Sequence, residues 1–409
     1  MTVILDLLDT SIRLLYEEKA IHSNGFVFNT GNEFIFGEVA EKNYRTQPRE
    51  VNNKFWWQLG TESLQLSFGP ARHTADLVHQ HLLSLSQDDA SESNEIALAV
   101  SGSMSKEQLS LLLGIIEQCP MTALGIIHRS ALLAANVSTH TSILHLELQL
   151  HQAMIVELER RDDSFSVTGS SVIPGMGWLQ LKERYASVIA ANFINQTRFD
   201  PRKQAHTDQL LYDQMPILIN ELFEHDEAIC EIQGHVARLC STDMQHITDE
   251  LIIRVKGIHQ DLDQRAVLLE TPTSTLPGIN QIPNIISSGI LRPSLIETIK
   301  LDPNSPRLIK TAPCATAPMK KTSKSIDEKL PKKNRPTHWM DEHFTAHPLG
   351  DGIISDNIRL HCIEEDWFAS QANQLTCNSN PVSNQALMPG DRLQFNDEVV
   401  VLINLRADS

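Results

Sequence analysis

Among the residues that could do chemistry, His145, Glu147, Gln149 and His151 alternate with leucines, so an extended strand would bring all four to one face. Imidazole and carboxylate are metal-ligand types. A flat row spaced two residues apart converges on one ion only with a ligand from elsewhere, and a hydrogen-bonded strand face accounts for the same pattern. Arg198, Asp200 and Arg202 form a second charged group, which reads as ion pairs fixing an interhelical turn in preference to a ligand clamp. No H-E-x-x-H, P-loop, G-x-G-x-x-G or Ser-His-Asp order accompanies them, so the enzyme classes built on those motifs have no support.

The elements that must position these residues alternate between strand and helix. Apolar spacing predicts a helix over 74–85, a strand over 95–100, and a helix over 103–117 capped at Ser103 or Ser105 with Glu107 and Gln108 in its first turn. A strand over 124–127 and a small-residue helix over 130–136 follow. Strands over 142–148, 153–158 and 165–172 lead through Pro174-Gly175-Met176-Gly177 into helices over 178–194 and 204–223. A hairpin turning at Gln233-Gly234, a helix over 242–261 and a strand over 266–269 complete an α/β pattern.

At 409 residues the chain has room for more than one core. With 34 Lys and Arg against 51 Asp and Glu, its net charge of −17 would repel phosphate backbones, so no nucleic-acid partner is expected. The six cysteines include no C-x-x-C pair, which points to reduced thiols. No leader-like start and no run of roughly 20 apolar residues is present, so the expectation is a cytoplasmic protein without a membrane span. Residues 291–345 read as a linker; within 302–336 it is proline-rich, with nine basic residues against three acidic ones. Residues 346–409 carry short strands between turns such as Met388-Pro389-Gly390-Asp391, a small all-β module.

Over residues 1–290 the order of elements and several short stretches resemble the actin, sugar-kinase and heat-shock-chaperone ATPase superfamily. Leu5-Asp6-Leu7-Leu8-Asp9-Thr10-Ser11 resembles its first phosphate loop, with Leu8 where glycine belongs. The strand from Ala97 into Ser101-Gly102-Ser103 and the alanine-rich helix after Ile127 resemble segments lining the family's central cleft. Ile143 to His151 stands at the second phosphate loop, with Glu147 at the aspartate position and Gln149 among the residues replacing glycines. The turn at 197–202 resembles a joint in the chaperone-like small subdomain, and Val267 to Ile279 resembles the adenosine-binding turn: Ser274, Pro277 and Gly278 fit, while Glu270-Thr271 or Thr271-Pro272 displaces the paired glycines. The resemblance implies a bilobal ATPase fold followed by a small β sandwich. It also implies a vestigial nucleotide cleft at Asp6, Thr10, Ser11, Glu147, Ser274 and Gly278.

Phosphate loops need glycine so that backbone N–H groups can approach the anion. With side chains filling them, the expectation is a pseudo-ATPase: no catalytic residues, no resident metal or cofactor, and a scaffold role in recruiting a protein partner through the cleft surface and the tethered β module. The competing reading is a divergent ATPase that holds Mg and ATP through Asp6 and Glu147. The C-terminal module resembles a forkhead-associated domain, which implies phosphothreonine-peptide binding by Arg359, Ser370 and Asn378.

Overall fold

The computed structural model describes residues 2–87, 94–136, 140–287, 291–303 and 307–314, together with the C-terminal strands named below. The chain divides into two compact units, Met1–Met319 and Lys320–Ser409. Both contain sheets, and the first is mixed α/β.

The first unit holds two six-stranded sheets of related topology. In one, Val3–Leu7, Ile12–Leu15 and Ala20–Ser23 form an antiparallel meander, and Glu95–Val100 and Thr122–His128 continue it in parallel on the far side of Val3–Leu7. In the other, Ser142–Leu148, Gln152–Arg161 and Ser164–Pro174 form the meander, with Ala266–Leu269 and Ile285–Ser287 as the parallel strands. Parallel pairing buries both faces, which matches the uninterrupted apolar runs at 96–100 and 266–269.

Helices cover the sheets where the apolar spacing requires. Lys106–Ile116 begins at Ser105, whose side chain accepts from Gln108 N while the Gln108 side chain accepts from Ser105 N, the expected capping box. Helices Trp178–Thr197, Ala205–His225 and Ser241–Ile258 pack with the hairpin Glu227–Ile232/His235–Cys240 in the second sheet's core cluster. The short helix Arg129–Ala135 differs in being buried on every side. It lies in a core cluster that draws Ile4, Ala97 and Ile127 from the first sheet and Ile143, Met154 and Leu268 from the second.

The expected linker at 291–345 is corrected at both ends. Leu308–Ile309 adds to the first sheet beside Thr122–His128, and Thr311–Pro313 pairs with Ser164–Pro174 in the second. Composition concealed these strands because their few apolar residues, Leu308, Ile309 and Ala312, lie among prolines and lysines. In the second unit His338–Met340 pairs with both Ala346–Pro348 and Glu398–Ile403, so strand structure begins before residue 346. Arg392–Phe395, Leu375–Cys377 and Asn380–Pro381 complete that sheet, and Leu360–Ile363 with Asp366–Ala369 forms a separate hairpin. Ile353-Ile354, which reads from the sequence as one of the short strands of 346–409, lies outside the described residues.

Candidate functional site

In both sheets the parallel strands deliver their C-terminal ends to one place, where open α/β sheets bind ligands. Asp6 is the penultimate residue of Val3–Leu7 and Glu147 that of Ser142–Leu148. Ser101 follows Glu95–Val100, Arg129 follows Thr122–His128, and Glu270 follows Ala266–Leu269.

The centre of this place is occupied by the guanidinium of Arg129, whose side chain is 0% exposed. Its Nε donates to Asp6 Oδ1 at 2.9 Å and Nη2 to Asp6 Oδ2 at 3.2 Å. Nη1 donates to Glu147 Oε2 at 3.1 Å and to Glu270 Oε2 at 2.6 Å, and Nη2 reaches Glu270 Oε1 at 3.1 Å. Arg13, facing Asp6 across the antiparallel pair, adds a second guanidinium on the same carboxylate. Three carboxylates thus surround two guanidiniums. The remaining negative charge is faced by His145, whose Nε2 lies 3.3 Å from Glu270 and whose Nδ1 bonds Ser130 Oγ at 2.8 Å.

The network sets its own ionisation. Burial lowers the Arg129 pKa, but Asp6, Glu270 and Glu147 outweigh it and hold the guanidinium charged. Burial likewise raises Glu147 and Glu270, but Arg129, His145 and their hydrogen-bond donors together outweigh it, so both carboxyls sit below their ordinary values. Arg129 also opens a helix, where a cation opposes the backbone dipole, and the carboxylates offset that as well.

Around the plug the two sheets are stitched together. Thr10 Oγ1 donates to Leu148 O at 3.1 Å, and Asp9 Oδ1 accepts from Leu150 N at 2.9 Å. Ser101 Oγ donates to Glu147, and Gln149 Nε2 donates to Ser103 Oγ at 2.9 Å. His151 Nε2 meets Asn53 O at 3.0 Å and its ring stacks on Trp57 at 5.1 Å. Leu8 is buried, and burial pushes the Asp9 carboxyl up to about 7. Next to these residues lies a cavity of about 30 Å³ lined by Leu8, Asp9, Trp56, Ser103, Met104 and Gln149. That is room for about one water molecule.

A further clasp lies farther out. The segment after Gly37 reaches across to the second sheet's helices: Glu41 pairs with Lys182 at 2.9 Å, and Arg45 pairs with Asp208 at 2.6 Å. Gln209 bonds Arg45 N and Glu41 O.

Asp6, Thr10 and Glu147 therefore come together, each engaged with protein. Ser11 N closes a turn on Leu8 O at 2.7 Å. Ser274 N bonds Glu270 O at 2.9 Å in a one-turn 3-10 helix. Gly278 has φ 84°, and a Cβ there would come within 2.6 Å of Gln245 Cγ, so its glycine serves packing against the helix Ser241–Ile258. The polar row at 145–151 is a hydrogen-bonded strand end, and among the described residues no group of His, Cys, Asp and Glu is arranged to hold a metal. Asp200 caps Arg202 N, but Arg202 pairs with Glu183 and Asp208, so the turn is tied to both flanking helices. Arg359, Ser370 and Asn378 lie outside the described residues. The sequence reading missed Arg129; its one signal is a lone cation in the small-residue, apolar stretch from Gly125 to Ala135.

No family model matches the chain, and no curated protein matches it either. Among the described residues no helix is long and apolar enough to cross a membrane.

Proposed function

We propose that the first unit is a catalytically silent relative of the actin, sugar-kinase and heat-shock-chaperone ATPases, a scaffold that recruits a protein partner through its cleft surface and the C-terminal β module. The repeated order of three meander strands and two parallel strands is what such a two-lobed fold requires. The observation that carries the loss of catalysis is the Arg129 guanidinium lying between Asp6 and Glu147, where that fold would place magnesium and phosphate. A divergent ATPase would need those carboxylates free to hold a hydrated cation. Both are instead committed to a permanent organic cation, with a cavity far smaller than a triphosphate beside them. Isothermal titration of the full chain with ATP and magnesium tests the reading: no saturable heat is expected, and binding tighter than about 100 μM together with turnover would overturn it.

A further inference from the structure

The first unit carries one strand whose backbone is largely unpaired. Ser63–Phe68 forms a hairpin with Ala71–His73, but only Ser63 and Phe68 have cross-strand partners, His73 and Ala71. The irregular register between them gives Leu64, Gln65, Leu66 and Ser67 no partner. Leu66 is 82% exposed, and Ser63, Gln65 and Ser67 are exposed beside it. None of the six residues is charged, so the usual guard against edge pairing is missing.

Two features of this strand suit it to its own copy. Ser63-Leu64-Gln65-Leu66-Ser67 reads the same in both directions. An antiparallel pair centred on Gln65 sets Ser63 against Ser67, Leu64 against Leu66, and Gln65 against itself, so the symmetric sequence matches serine with serine and leucine with leucine across the seam. The strand also flanks a groove of about 1,010 Å³ whose charged lining is Arg49, Lys54, Glu62 and Glu107, two of each sign. Such a surface meets its two-fold image without net repulsion. In that register Glu62 falls opposite Phe68 and not opposite another carboxylate.

We propose that two copies of this chain associate through antiparallel pairing of Ser63–Ser67 about a two-fold axis at Gln65, with Leu66 of each copy covering the other's groove. So short a strand buries less than the roughly 1,000 Å² of a stable interface, so the dimer is weak and depends on concentration.

Sedimentation velocity of the full chain over about 1–200 μM, a range that brackets micromolar association, reads this directly. The native chain moves from monomer toward dimer as concentration rises, while Leu66→Lys, with unchanged circular dichroism, stays monomeric. Directly opposed antiparallel residues lie within disulfide reach, whereas positions four residues out of register do not. Under mild oxidation Gln65→Cys therefore forms a covalent dimer above the background of the native cysteines, and Ser67→Cys does not. A native chain that remains monomeric throughout, a Leu66→Lys variant that dimerises like the native chain, or equal cross-linking at 65 and 67 would each overturn the proposal.

Discussion

Replacing Arg129 with methionine keeps most of the side-chain volume and removes the charge. The guanidinium makes five hydrogen bonds to three carboxylates at 2.6–3.2 Å and has no solvent contact. Breaking a buried ion cluster from one side costs about 3–5 kcal/mol, because the partner charges stay behind in a poorly hydrated site. Arg13 alone would remain as a guanidinium against Asp6, Glu147 and Glu270, too little positive charge for three carboxylates. For a unit of this size that cost corresponds to a fall in Tm of roughly 4–8 °C. Urea unfolding and thermal denaturation followed by circular dichroism measure it. Combining Arg129→Met with Asp6→Asn, Glu147→Gln and Glu270→Gln removes the stranded charges and should recover at least half the loss, since whole buried ion clusters exchange for neutral groups at little net cost. A single variant within about 0.5 kcal/mol of the native chain, the usual range for surface substitutions, would refute the reasoning.

Further outcomes follow from the same geometry. The Asp9 carboxyl is raised from 3.8 to about 7, so the unfolded chain ionises first: its destabilising effect is absent below about pH 4, grows through pH 4–7 and is complete above. Asp9→Asn, which keeps an acceptor for Leu150 N, should therefore gain about 1–3 kcal/mol at pH 8 and nothing at pH 3.5 in urea titrations, the gain limited by Asp9's partial exposure. Glu41→Ala strands the buried Lys182 ammonium and should cost about 1–3 kcal/mol, with faster hydrogen exchange in residues 38–47. Gly278→Ala meets both a positive φ and Gln245, and should cost about 1–3 kcal/mol in the same unfolding assays.

The sequence disclosed the scaffold better than the site. Strands 95–100, 142–148 and 266–269 have their expected bounds, the first and last because an apolar run between turn residues leaves one register in which both faces are buried, the middle one because its leucines alternate with polar residues at strand spacing. The capping box at Ser105 and the hairpin turn at Gln233-Gly234 were legible for the same local reason. Arg129 was not, since its role depends on Asp6, Glu147 and Glu270, which are distant in the chain and meet only when the two sheets close. The strands at 308–313 were hidden likewise: two or three residues pairing at sheet edges need little apolar content. Leu8 and Gln149 are buried among side chains, as their types suggest, and Arg129 lies at the strand ends beside them.

Thermal unfolding of the full chain with and without MgATP tests the central claim most directly. A site of 100 μM affinity, held at 100-fold excess ligand, would stabilise the fold by about 2.7 kcal/mol and raise Tm by several degrees. The filled, stitched cleft predicts no magnesium-dependent shift. A rise of that size, requiring magnesium and abolished by Asp6→Asn in a variant that still folds, would contradict the account.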